Sequence, residues 1–570
     1  MWKMTSIFQN SVIGKVIAAV VLSLRRAAEN SRLRKLSEAV HESYGASAAK
    51  RIWERFCGAA DTTRLSCYGR FTKRIDAWLS ALGNILRQSV FYRILTFLRD
   101  CYFKLTDGSV IFGWIHKLNL HQWVLAAFAF YLPMEYVIRD LLGIGFLASV
   151  WEELFLMGAL FLVLWRNALG QTDALQRESQ MGLYILLFMG AGFFLMMIVC
   201  PWPDIALAGY RAQCEYLLWF FLILRLVEND RDFKVLYGAF LCMASLLAVH
   251  GIYQYVIGVE IPSGWVSQTE MGVRTRVFSL TGSPNIFGSL LVLAAPLAAG
   301  LIYYVKKPLA KCFFLCLTGL MCLCMLFTFS KGAWLGLVVA VVLFALYIDR
   351  RLFLLMGAAV AGILVAVPSV LNRLTYLFTS DYAEASAVGG RTLRWETGRM
   401  LLHDNNPLLG FGLGRFGGAV AMNNQVLDKT EEFEYFYMDN YYLKTMVEMG
   451  YLGLAFYLLM IAALVVWGLR AVYRSGESPV PAELPAAMGQ SSVSAFPGQW
   501  KREALTRNIG NQKVLAVSIF SGLCGVLVHC YFENIFEEPY MMAYFWGLAA
   551  MLIYSGFFRK PALKSEKQTA

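Results

Sequence analysis

KCFFLCLTGLMCLCMLFTFSKGAWLGLVVAVVLFALYID, residues 311–349, carries a single charge, Lys331, between Lys311 and Asp349. A helix needs roughly 17–25 apolar residues to cross a bilayer core about 30 Å thick. Residues 311–329 and 332–349 each supply one such run, and the break between them leaves room only for a tight turn. Backbone amides and carbonyls have no water to bond inside hydrocarbon, so apolar runs of this length read as helices that satisfy themselves. The stretch is a transmembrane helical hairpin with one cation at its tip.

Read outward from there, the same criterion picks twelve runs: 119–137, 151–167, 181–200, 213–228, 234–257, 283–305, 311–329, 332–349, 352–369, 441–468, 513–532 and 540–557. Composition agrees, with 58% hydrophobic and 16% charged residues, against about 45–50% and about 25% in soluble domains. The expected fold class is an all-α polytopic membrane protein of about twelve transmembrane helices. Lys and Arg in short loops mark the cytoplasmic side. With the amino terminus cytoplasmic, inside loops hold Arg166, Arg177, Arg231, Lys234, Lys306, Lys307, Arg350, Arg351, Arg470, Arg474 and Lys501, with Arg559 in the tail. The short outside loops are poor in both, apart from Lys331. Both termini are therefore expected to be cytoplasmic.

The formal net charge is +12, and it is concentrated at one end: residues 1–118 hold 19 Lys and Arg against 8 Asp and Glu, and the remaining 452 hold 32 against 31. A basic segment beside a membrane domain suits anionic lipid headgroups; no nucleic-acid motif accompanies it. Residues 75–98 place Ile75, Trp78, Leu79, Leu82, Ile85, Leu86, Val90, Ile94 and Phe97 at helical spacing among arginines. They read either as an amphipathic helix in the membrane interface or as a small helical domain. The expected organisation is this segment (1–118), nine crossings (119–370), one large ordered extracytoplasmic loop (371–440), three more crossings (441–557) with a flexible linker at 471–512, and a tail (558–570). Twelve cysteines without a metal-ligand spacing or a cluster in the large loop imply neither a disulfide framework nor a metal site.

Charges near a membrane face are costly and therefore mark candidate sites. Four stretches qualify. Arg274-Thr-Arg276 precedes Gly282-Ser-Pro284-Asn285 at the mouth of the sixth run, where Asn285 suits a helix cap. Ser330-Lys331-Gly332 forms the hairpin tip. Arg391, Arg394 and Arg399 are spaced to share part of a helix surface; His403 and a glycine-rich turn follow, with Arg415. Asp439-Asn440 and then Glu448 open the tenth run. Arginine forks match phosphate oxygens, a carboxylate can act as general base or merely cap a helix, and glycines permit close backbone approach. His529, with Glu533, and His403 are further candidate bases; His250 reads as a packed helix residue.

In these stretches the chain resembles the O-antigen ligase and Wzy-type O-antigen polymerase family. The matching residues are Arg276…Gly282-Ser-Pro284-Asn285, Thr328-Phe-Ser330-Lys331-Gly-Ala-Trp334, Arg394-Trp395…Asn406-Pro407-Leu-Leu-Gly410-Phe-Gly412…Phe416 and Asp439-Asn440…Glu448-Met-Gly450. The resemblance spans about 119–557 and implies a GT-C-like helical bundle facing outward from the cytoplasmic (inner) membrane. The implied donor is a glycan on undecaprenyl diphosphate, and the acceptor a glycan or lipid. Arg274, Arg276, Lys331, Arg391, Arg394, Arg399 and Arg415 would hold the diphosphate, and Asp439, His403 or His529 would serve in catalysis. Transfer would invert the anomeric carbon and need no metal or cofactor. Two positions depart from the family pattern: Lys331 stands where Arg is usual, and Asp439 where ligases carry His. The second leaves a polymerase more open. A transporter or flippase for lipid-linked oligosaccharide is the alternative from another class, although paired broken helices in related halves are not visible.

Overall fold

The structure, a computed structural model, describes residues 66–106, 116–143, 145–173, 179–260, 275–366, 390–425, 436–476 and 511–559, with a few isolated positions between them. Arg274, most of the 471–512 linker and all of residues 1–65 lie outside the described residues. The chain divides into two compact units after Phe71, and every contact below lies within Thr72–Ala570. The described residues form helices and no strand.

Two helices open the described chain, α1 (Ser66–Gln88) and α2 (Val90–Thr106). The single amphipathic helix expected over 75–98 is thus broken at Ser89, whose hydroxyl accepts from the Tyr92 amide. One face of α1, through Ile75 and Leu79, packs on Leu164, Ala168 and Leu175. Gly83 lies so close to the Ala168 carbonyl that a Cβ there would collide with it. Trp78, Ile85, Val90 and Phe97 face outward, as expected for helices lying against lipid.

The first expected crossing is also broken, into α3 (Leu120–Ala129), α4 (Tyr131–Tyr136) and a π-turn over Val137–Leu141. Pro133 lacks the amide needed to continue the ladder. α5 (Gly145–Ala168) and α6 (Gln180–Ile198) are uninterrupted. The fourth expected crossing is α7 (Pro203–Cys214), a 3₁₀ turn and α8 (Leu218–Leu226); nine residues of α8 rise only about 13 Å. Next come α9 (Asp230–Ile257), α10 (Pro284–Tyr304), α11 (Pro308–Phe327), α12 (Lys331–Tyr347) and α13 (Leu352–Ala366). The large loop contributes α14 (Arg391–Asp404) and α15 (Ala419–Asn424), and the chain continues through α16 (Tyr441–Arg474), α17 (Asn511–His529) and α18 (Pro539–Phe557). Among the described residues, eight helices are long and apolar enough to cross a membrane. The other four expected crossings fall on α3–α4, α7–α8, α12 and α13, which are shorter or broken.

Local chemistry sets the helix ends. Asn229 caps α9 by accepting from the Arg231 and Asp232 amides, and left-handed Gly258 ends it. Ser283 caps α10 ahead of Pro284, and Asn440 caps α16 through the Leu443 amide at 3.0 Å. The core is the packing of α17 against α10 and α12, with α18 against α8 and α16. α18 is 89% buried by protein along its apolar window, whereas α11 is only 17% buried; α11 therefore lies at the rim.

The helices define two ends. At one, Arg559 pairs with Asp230 at 2.6 and 2.7 Å, and Arg166 with Glu228 at 2.9 and 3.1 Å. At the other lie the starts of α10, α12, α14, α16 and α18 and the ends of α11 and α17, joined by the polar contacts described next.

Candidate active site

The segment entering α10 is tied down by backbone. Val277 donates to the Phe327 carbonyl at 3.1 Å, and buried Arg276 donates through Nε to the Thr328 carbonyl at 3.0 Å. This lays Arg276 along the turn between α11 and α12. Phe329 holds that turn with φ +50°, and Lys331 opens α12 three residues beyond Thr328. The other arm of Arg276, Nη2, donates to Asn285 Oδ1 at 3.1 Å. The amide nitrogen of Asn285 in turn donates to Glu533 Oε2. Asn285 is therefore not the helix cap, a role taken by Ser283; it is a bridge whose oxygen faces a guanidinium and whose nitrogen faces a carboxylate.

Glu533 sits in the hairpin between α17 and α18. Desolvation pushes its carboxyl up to about 7, neighbouring Asp439 adds to the rise, and Arg391 and the Asn285 hydrogen bond oppose it. Asp439 is freed from capping by Asn440. Arg391 Nε donates to Asp439 Oδ2 at 2.7 Å, and Trp395 Nε1 to Oδ1 at 3.0 Å. Arg391 and Trp395 are four residues apart on α14 and so share one face. Arg391 also donates to the Phe532 carbonyl at 3.1 Å, and the Tyr441 amide to Cys530 O at 3.0 Å. These bonds close a ring of elements around Arg276, Asn285, Arg391, Asp439 and Glu533.

His529 is buried beneath this ring. Its Nδ1 lies 2.6 Å from Ser289 Oγ, and a Cβ added to Gly332 would stand 2.8 Å from its Nε2 and 3.1 Å from Phe532 Cβ. His529 is thus buried with one ring nitrogen on Ser289 and its other edge against Gly332, a place that supports the hairpin.

Other expected residues are placed elsewhere. Arg394 lies over the Phe436 ring at 5.9 Å. Arg399 and His403 are exposed, and His403 ends α14 about 18 Å along the axis from Arg391. Arg415 stacks on Phe411 at 3.8 Å and Trp202 at 4.9 Å, with Nη1 donating to the Phe411 carbonyl at 2.7 Å. The shared arginine surface expected on α14 thus reduces, at this site, to Arg391. His250 packs against Ser279, 3.0 Å from its hydroxyl.

The glycine-rich turn makes its close approach to the chain itself. α16 is interrupted at Gly450, φ +67°, and the amides of Tyr451 and Leu452 donate to the carbonyls of Pro407 and Leu408. Phe411 and Gly412 donate back to the Val447 and Glu448 carbonyls at 2.7 and 3.0 Å. Side chains at Gly410 or Gly450 would clash with the opposing backbone. Below this seam, Lys444 Nζ bonds Glu448 at 2.9 Å and Glu537 at 3.3 Å. Glu448 also accepts from the Gly414 and Phe416 amides, and Glu537 from Ala419 at 2.6 Å. Glu448 is a buried clamp for the turn, so the expected choice of base narrows to Asp439 and Glu533. Lys444 and Glu537 escaped the sequence reading; the i, i+4 spacing of Lys444–Glu448 was the available signal for the first.

Among the described residues, one group could hold a metal: His121, Glu228 and Asp232, with ligand atoms within 4.8 Å of one another. It lies at the opposite end and is already satisfied. Asp232 accepts from Gln122 at 2.6 Å and the Glu228 amide at 3.0 Å, and both Glu228 oxygens face Arg166. It pins α3 to α9.

Chemically, the ring offers guanidinium groups beside two carboxylates at the mouth of a membrane bundle, a setting for an anionic leaving group and a hydroxyl nucleophile. A comparison with curated proteins finds no match. Residues 316–458, from α11 into α16, match the family model described as O-antigen ligase, and the Arg276, Asn285 and Glu533 side of the ring comes from outside that span. Over residues 316–458 this multi-pass membrane chain is thus similar to the O-antigen ligase family, a likeness that supports a part in cell-surface polysaccharide biosynthesis.

Proposed function

We propose that the chain transfers or polymerises a glycan carried on undecaprenyl diphosphate at the outer face of the cytoplasmic membrane, inverting the anomeric carbon. The observation that carries this reading is the joining of Arg276 to Glu533 through Asn285, and of Arg391 to Asp439, at the bundle end opposite the basic loops. By the positive-inside rule that end faces outward. As the glycosidic bond breaks, charge concentrates on the departing diphosphate. Arg276 and Arg391, fixed by backbone carbonyls and partly removed from water, stabilise that charge without reorganising. Lys331 adds a point charge at the α12 start, without the fork that Arg would present. The acceptor hydroxyl loses its proton at the carboxylate pair. The polyprenyl chain approaches from the bilayer, and helices α1 and α2 rest on lipid at the opposite face.

The test is the surface-glycan profile of a strain lacking this chain, complemented with Arg276→Ala or Arg391→Ala. Loss of glycan modal length in the deletion indicates a polymerase; free lipid-linked polymer indicates a ligase. Each variant is expected to lower transfer by about 10²–10³ in rate while remaining in the membrane. Wild-type profiles from both variants overturn the reading.

A further inference from the structure

Resting on that reading, we propose that Glu533 is the proton acceptor for the attacking hydroxyl, and that Asp439 is a positioning residue that fixes Arg391 and sets the charge around Glu533. The two carboxylates differ in what they touch. Asp439 has both oxygens engaged, one by the Arg391 guanidinium at 2.7 Å and one by the Trp395 indole at 3.0 Å. A carboxylate locked between a guanidinium and an indole is placed to hold those two donors in position. Glu533 accepts from neutral amides alone, the Asn285 side chain at Oε2 and the Asn534 backbone at Oε1, 3.4 Å away, and is not in an ion pair among the described residues. Its surroundings push its carboxyl up to about 7, where a substantial share is ionised at neutral pH and the ionised form takes a proton readily. Asn285 also orients the acid against Arg276, so the base and a diphosphate-holding cation move as one unit.

The groups around Glu533 come from each packed element. Asp439 opens α16, Arg391 lies on α14, and Arg276 reaches it through Asn285 from α10. His529 ends the preceding helix, Lys331 opens α12 beside Gly332, and Glu538 follows in the same hairpin. Glu537 in that hairpin is turned to Lys444. In the step itself, the acceptor oxygen forms a bond to the anomeric carbon as its proton passes to Glu533. The bond from that carbon to the phosphate oxygen breaks, and undecaprenyl diphosphate leaves with the electron pair.

The experiment mixes full-length protein in lipid nanodiscs with membranes from a strain lacking the chain, which supply lipid-linked glycan and acceptor, between about pH 5 and pH 9. Wild-type transfer is expected to rise with pH through a limb near 7. Glu533→Gln keeps the Asn285 hydrogen bond and is expected to lose turnover about 100-fold or more. It should still bind undecaprenyl diphosphate, the probe for a formed site. Glu533→Asp is expected to restore part of the rate. In protein with Glu533 intact, Asp439→Asn removes a neighbouring negative charge and moves the limb to lower pH; Arg391→Gln moves it to higher pH. These shifts read Glu533 without replacing it. Turnover within about threefold of wild type in Glu533→Gln, or a limb that stays in place in both neighbour variants, overturns the assignment to Glu533 alone. Absence of transfer by the wild type overturns the functional reading with it.

Discussion

Two pairs of carboxylates flank the start of α16, and they are treated oppositely. Glu448 and Glu537 share the Lys444 ammonium and take backbone amides from Gly414, Phe416 and Ala419. Asp439 and Glu533 share no cation: Arg391 bonds Asp439, and Glu533 is reached only by the Asn285 and Asn534 amides. The first pair is compensated and locks the glycine-rich turn to the helix. In the second, Glu533 has no cation in direct contact, and a desolvated carboxyl without one has a raised pKa and is ready to exchange a proton. Burial alone therefore does not identify a working acid in this molecule; the balance of charge around it does.

The comparison breaks most visibly at Lys444. Lys444→Met leaves two buried carboxylates facing each other, and loss of one partner of a buried ion pair costs about 3–5 kcal/mol. The variant is expected to melt far below wild type in detergent, with transfer lost through unfolding. A melting temperature unchanged from wild type would show that Glu448 and Glu537 are no more compensated than the other pair. By contrast, Glu533→Gln should leave melting unchanged and remove turnover.

The next effect lies under the working pair. A methyl group at Gly332 meets His529 at 2.5 Å, so Gly332→Ala is expected to cost about 1–3 kcal/mol by overpacking. Combining it with His529→Ala should return much of that stability, measured as the melting temperature of the double variant against both singles. If the double variant is no better than Gly332→Ala, His529 is not the group that Gly332 accommodates. The smallest effect is expected at His403. It is exposed at the far end of α14, and His403→Ala should shift stability by less than about 0.5 kcal/mol and leave the pH limb where it is.

The hairpin at 311–349 and the helical class were legible because each depends on a short run and the residues that flank it. The same local logic misplaced the caps. Asn285 and Asp439 both precede apolar runs and both suit an N-terminus, yet Ser283 and Asn440 hold those places and release their neighbours for long-range bonds. The glycine-rich turn looked ready for a ligand because glycine permits close approach. It is used instead to let the turn reach the kinked backbone at Gly450. On α14, three arginines invited a shared surface, but Arg394 lies over Phe436 and Arg399 is exposed, while Trp395 joins Arg391 on Asp439.

What the sequence by itself determined is where the chain meets lipid and which end of the bundle is basic, since transfer into hydrocarbon is a property of each segment summed over its own residues. Which acid can work was decided only by the tertiary structure. The hairpin between α17 and α18 offers Glu533, Glu537 and Glu538 within six residues, alike in kind and nearly alike in position. Asn285, 248 residues away, reaches the first, and Lys444 reaches the second. A carboxyl's readiness to take a proton follows from the charges within a few ångströms of it, and those neighbours come from distant parts of the chain.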